Sequence, residues 1–154
     1  MTNSSPPDPQ GVGQIFALFN EIGIIGQLSR TLFEARLEPG MTIHQFSVLN
    51  HLMRVGEGTT PQRMATAFQV PKTSMSHTVA GLVKRGYVTL EPSPTDGRSK
   101  CVFTTEAGRA CRDRAIAALA PDIAELAPQL PEGLVEALLP HLVTLREVMD
   151  AARD

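Results

Sequence analysis

Side chains able to hold a polyanion gather in the middle of the chain. Between Asn50 and Lys100 stand Arg54, Arg63, Lys72, Lys84, Arg85, Arg98 and Lys100, against Glu57, Glu91 and Asp96. That segment balances at +4 and leaves −6 for the flanks, because the whole chain carries −2. A basic patch on an acidic protein points to a polyanion bound at one face. Other chemistries are poorly supplied. Cys101 and Cys111 are the only cysteines and lack C-x-x-C spacing, so neither a disulfide scaffold nor a closed zinc site is expected. His44 and His51 lie seven apart on one predicted helix face, yet they and His141 have no acidic or Cys ligand spaced to complete a site. No metal and no cofactor is expected. There is no G-x-S-x-G, P-loop, H-E-x-x-H or G-x-G-x-x-G, so no enzyme is expected either.

The elements that must position the basic patch are legible around it. With 154 residues, 42% hydrophobic and 19% charged, the chain reads as one globular domain of ordinary size. Met1 to Gln10 is polar and Pro-rich and reads as a disordered arm with no secretory signal, so a cytoplasmic address is expected. No apolar run approaches the roughly 18 residues of a membrane helix, and no membrane partner is expected.

From about Val12 to Leu37, Ile15, Leu18, Phe19, Ile22, Ile25, Leu28, Leu32 and Phe33 recur at helical spacing. Gly23 and Gly26 weaken this helix by about 1 kcal/mol each relative to Ala. Thr42 and Gln45 form a capping box for a helix on which Phe46, Leu49, Leu52 and Met53 share a face and which ends at Gly56. Thr60-Pro61 starts a short helix to Phe68. After a break at Gln69-Val70, a longer helix runs from Lys72 to Arg85, with Met75, Val79 and Leu82 inward and Gly86 as terminator. Tyr87–Leu90 and Cys101–Thr104 are β-rich and form a hairpin around a loop carrying Arg98 and Lys100. Thr105 caps a helix to about residue 127, kinked or broken at Pro121; a last helix spans about 132–152, bent near Pro140.

A short helix, a tight turn and a longer helix make a helix-turn-helix, and the hairpin with its basic tip makes it winged. A major groove about 12 Å wide admits one such helix. The expected fold is mainly α with a small β-hairpin wing. Its parts are an arm (1–10), an N-terminal helix (11–40), a winged helix-turn-helix domain (41–104) and C-terminal helices (105–154).

From Met41 to Cys111 the chain resembles the MarR family of bacterial transcription regulators. The resemblance lies in an ordered set: T-x-x-Q-F at Thr42, A-x-x-F-x-V-P-K-T-S-M-S from Ala65, G-Y-V from Gly86, D-x-R at Asp96 and T-x-x-G-R at Thr105. It implies a sequence-specific DNA-binding regulator, a ligand-responsive repressor acting as a homodimer on a pseudo-palindromic operator. It also implies that the helix from Lys72 lies in the major groove. Lys72, Thr73, Ser74, Ser76 and His77 would then meet phosphates or base edges. Arg98 matches the wing arginine that enters the minor groove, where a narrow groove concentrates negative potential. Lys100 adds charge to the wing, and Asp96 orients the arginine or braces the tip. Three positions depart from the family pattern: His77 stands where many members have Arg, Gln69 where Gly is frequent, and Gly97 replaces a second basic residue.

The flanking helices would form the dimer. Leu134, Leu138, Leu142, Leu145 and Met149 line the last helix, and Val135, Leu139, Val143 and Val148 widen the stripe. A small aromatic or phenolic effector is expected in a pocket between the first helix, the second and the one after the wing. Gly23 and Gly26 would leave room there, and Arg30, His44 or Arg112 would meet a carboxylate. The first helix has no cysteine where the peroxide-sensing branch carries its reactive one. The competing reading is a winged-helix dimerisation or docking module that touches no DNA.

Overall fold

Capping decides where the helices begin. In the computed structural model, which describes residues 8–152, Asp8 accepts the Gln10 N–H (3.2 Å) and opens α1, Pro9–Glu34. Pro9 and Gln10 are therefore helical, a correction to the arm's expected end. Pro suits the first helical turn, where its missing N–H has no partner to lose. The rest of the arm, residues 1–7, lies outside the described residues. At α2, Ile43–Val55, both bonds of the capping box form: Gln45 N to Thr42 Oγ1 (3.2 Å) and Thr42 N to Gln45 Oε1 (3.1 Å). Thr60 caps α3, Pro61–Phe68, and α4 follows over Lys72–Lys84.

Between α3 and α4 the chain turns on Gln69, a left-handed residue at φ 52° and ψ 44°. It is the non-glycine residue that takes positive φ among those described. Left-handed backbone costs an L-residue about 1 kcal/mol. The turn is nevertheless tight, with Val70 N donating to Ala65 O at 3.0 Å.

The wing is one antiparallel pair. β1, Val88–Pro92, runs against β2, Lys100–Thr104, with Val88 opposite Thr104 and Pro92 opposite Lys100. The loop after α2 adds a short third rung. Gly58 N donates to Val102 O, and Val102 N to Thr59 O, both at 2.9 Å. Thr105 then caps α5, Glu106–Ala117. The spacing of T-x-x-G has a steric reason here: Gly108 is buried, and a Cβ on it would collide with the Tyr87 carbonyl.

The core lies within these elements. Leu49 and Leu52 from α2, Met64 from α3, Leu82 from α4 and Val102 from β2 are fully buried. Each buried side chain of this size contributes about 1.5–3 kcal/mol by leaving water. By contrast, no residue of α1 is buried. Its contact with α2 centres on Phe33 and Phe46, whose rings lie 4.5 Å apart.

The chain divides into two compact units, Met1–Ala118 and Leu119–Asp154. The second contains α6 (Ala120–Leu126), a 3-10 turn (Ala127–Gln129) and α7 (Leu134–Ala151). The expected break falls just before Pro121, and Pro140 sits inside α7 as expected. No residue of α7 is buried.

One expectation needs correction. α1 is long and apolar enough to cross a membrane by length and composition, with mean hydropathy 1.2. A search for an unbroken apolar run misses it because Asn20, Glu21 and Gln27 interrupt the sequence.

Candidate nucleic-acid interface

α4 has two opposed faces. Met75, Val79 and Leu82 are buried and anchor it to the core. Lys72, Thr73, Ser74, Ser76 and His77 are all exposed around its N-terminal half. An anchored inner face fixes the axis, while the outer face offers an ammonium, three hydroxyls and an imidazole in under two turns. Lys72 Nζ donates to Gln62 Oε1 (3.4 Å), a contact between α4 and α3. Ser74 borders a cleft of about 210 Å³ together with His44, Val48, Phe68, Pro71 and Thr78.

The wing tip is a braced turn. Asp96 accepts from the Arg98 backbone N–H (3.0 Å) and the Ser99 hydroxyl (3.0 Å). Ser99 N donates to Asp96 O at 2.9 Å. Asp96 thus ties the turn through backbone and hydroxyl bonds, while the Arg98 side chain stays exposed. Lys100 is also exposed, at the root of β2. The structure therefore brings the eight expected contact residues onto two exposed elements of one unit.

The five residues assigned to an effector pocket are not brought together. Gly23, Gly26 and Arg30 lie on the exposed length of α1, and a Cβ added at either glycine would meet nothing within 4 Å. Arg112 donates to Asn50 Oδ1 from Nε (3.2 Å) and Nη2 (3.0 Å), and to Asp113 from Nη1 (3.0 Å). His44 borders the cleft beside α4 instead. The reason is that α1 packs on α2 only near its C-terminal end, so its glycines bound no cavity. A second cleft, of about 160 Å³, is lined by Arg36, Glu38, Met41, Cys111, Arg114 and Ala115.

Both cysteines are buried and free. Cys111 Sγ lies 3.4 Å from Met41 Sδ. Burial, then the nearby Glu38 carboxylate, pushes the Cys111 thiol up from its ordinary range. A thiol held protonated is a poor nucleophile.

Two carboxylates absent from the sequence-derived site hold the interface in place. Glu57 accepts from Thr104 N (2.7 Å) and Arg109 Nη2 (2.6 Å), which fastens the loop after α2 to β2 and α5. Glu38 accepts from Tyr87 Oη (2.5 Å), Arg85 Nη1 (3.1 Å) and Arg114 Nη2 (3.5 Å). Their signal in sequence was slight: Glu57 is an acid between two glycines inside a basic segment, and Glu38 precedes Pro39-Gly40.

A two-helix turn on a buried core, with an adjoining hairpin, defines a winged helix-turn-helix protein. Residues 40–99 match the model of the MarR family. No curated protein matches the chain by sequence. Among solved structures it is similar to apo MarR of Escherichia coli: 26% identity, TM-score 0.71, covering 83% of this chain and 96% of that one. It is similar to a cysteine-to-serine variant of E. coli MarR in complex with operator DNA: 25% identity, TM-score 0.68, covering 90% and 99%. It also shares its fold with CouR of Rhodococcus jostii bound to p-coumaroyl-CoA: 24% identity, TM-score 0.64, covering 80% and 87%.

Proposed function

We propose that this chain is a DNA-binding transcription regulator, a ligand-responsive repressor that acts as a homodimer on a pseudo-palindromic operator. The observation that carries the reading is the two-faced α4. It is fixed by Met75, Val79 and Leu82, open along Lys72, Thr73, Ser74, Ser76 and His77, and accompanied by a braced wing bearing Arg98 and Lys100. α4 enters the major groove and Arg98 the flanking minor groove. The structure of a similar protein with operator DNA supports this docking. A second copy covers the apolar faces of α1 and α7. This suits α1 better than a bilayer does, since Glu21 at the membrane midplane would cost about 2.5–3.5 kcal/mol. Two copies then present their α4 helices to half-sites about one helical turn apart.

The effector is a small aromatic or phenolic compound, a reading supported by the phenolic acyl group of the p-coumaroyl-CoA bound to CouR. It acts by changing the separation of the two α4 helices. A single chain does not bring Gly23, Gly26, Arg30, His44 and Arg112 together, so a pocket that used them would need the second copy to complete it. A thermal-shift screen with aromatic and phenolic acids tests the response; no shift with any of them counts against it.

The DNA reading is tested by fluorescence anisotropy on DNA from upstream of the chain's own gene, with scrambled DNA as control, at two salt concentrations. Tight, salt-sensitive binding that favours the native fragment is the expected result. Arg98→Ala and Lys72→Ala each lower the salt slope by about one. Absence of binding even at low salt would favour the docking-module reading.

A further inference from the structure

The joint between α4 and β1 is three residues long: Arg85, Gly86 and Tyr87. It sets the angle between the helix and the wing. Glu38, in the loop between α1 and α2, grips both sides of it. One oxygen takes the Tyr87 hydroxyl (2.5 Å) and the Arg85 guanidinium (3.1 Å), while the other faces Arg114 of α5 (3.5 Å). Arg85 also donates from Nη2 to the Pro39 carbonyl (3.2 Å). Gly40 makes that approach feasible. It takes φ +76°, and a Cβ there would stand 2.6 Å from Arg85 Nη2. Gly86 itself takes φ +74°; backbone bonds tie Tyr87 N to Leu82 O and Thr105 N to Tyr87 O (both 3.0 Å), and the Glu38 bonds add the side-chain hold on the joint.

From this geometry we infer that Glu38 is a positioning residue for DNA reading: it locks the Arg85–Gly86–Tyr87 joint so that α4 and the wing meet DNA at one fixed mutual angle. The inference rests on the DNA-binding reading above and adds a residue that touches no DNA. The carboxylate is held ionised. The Tyr87 hydroxyl does most to lower its pKa, burial opposes that, and Arg114 and Arg85 lower it further. The same bond pushes the Tyr87 phenol up to about 12.

Tyr87 is the sole tyrosine and the chain has no tryptophan, so the tyrosinate absorbance band reports this joint alone. In Glu38→Gln the phenol should titrate lower, towards an ordinary tyrosine. Affinity for the native fragment should fall about tenfold, within the range that indirect couplings carry. Affinity for scrambled DNA should hold or rise, because the variant is one charge less acidic. Tyr87→Phe should cause a smaller loss of the same sign, and it carries the test if Glu38→Gln loses its helical circular dichroism. A charge effect alone would tighten both fragments together. That result, or an unchanged native affinity, overturns the inference. If the wild type shows no preference for the native fragment, the DNA reading fails, and amide exchange then judges the joint. Faster exchange over Arg85–Val88 in both variants, with α2 unchanged, upholds Glu38 as a positioning residue; equal exchange overturns it.

Discussion

α1 and α2 are neighbours in sequence and opposites in burial. α2 buries Phe46, Val48, Leu49 and Leu52 in 13 residues, while α1 buries none in 26. Their apolar content does not explain this, since Phe16 (71% exposed), Leu28 (66%) and Ile25 (61%) are as hydrophobic as anything in α2. The difference is closure. α2 is covered by α4, α5 and β2 of its own chain, whereas α1 meets its chain chiefly through Phe33. A winged helix-turn-helix completes its core without α1. Monomers rarely leave so large an apolar stripe in water, which is why α1 is given to the second copy in the proposed dimer.

Five measurements break or sharpen this contrast. The largest effect is expected at α1. Ile25→Ala removes about 2 kcal/mol of burial, counted twice in a twofold dimer. The dimer dissociation constant should rise by about a thousandfold, read by sedimentation, while α2–α5 stay folded. An unchanged constant would separate α1 from the interface. Leu49→Ala is the converse case. It should cost about 3 kcal/mol of unfolding free energy by chemical denaturation, as a defect of the monomer core.

Two smaller changes probe the body itself. The buried Thr104 Oγ1 has no hydrogen-bond partner among the described residues. Thr104→Val should therefore stabilise the fold by about 1 kcal/mol, seen as a raised melting temperature. Gln69→Gly should give a gain of about 1 kcal/mol or less by relieving left-handed backbone. A loss there would mean that the Gln69 side chain holds the turn.

The smallest effect concerns pH. His51 packs on Phe68 with centroids 5.1 Å apart, and burial, then Arg54, lowers its pKa below 6.5. The unfolded chain therefore takes up this proton first. The His51 contribution is intact above the unfolded pKa of 6.5 and is lost as pH falls through it towards the lowered folded value. His51→Gln should flatten that part of the stability curve.

Features written within a few residues were legible in the sequence. The caps at Thr42, Thr60 and Thr105 each act on an N–H three residues on, so the starts of α2, α3 and α5 could be read directly. The two faces of α4 followed from its 3.6-residue period, and the wing from its turn residues. Glu38 and Glu57 were not legible as anchors. Their partners lie 47 to 76 residues away, and no local pattern announces such a pairing. The five effector residues are scattered within one chain for a related reason. Gly23 and Gly26 permit close approach but do not say what approaches.

The rung between Thr59 and Val102 bears on how the protein is made. Loop closure of roughly forty residues must be met before this contact returns anything. A chain emerging from the ribosome completes α2, α3 and α4 well before β2 exists. Until Thr104 is out, Leu49, Leu52 and Val88 lack the strand that covers them, and the half-made domain exposes apolar surface. Domains fold as units during synthesis. A nascent chain stalled within the wing is therefore the form of this protein with most need of a chaperone.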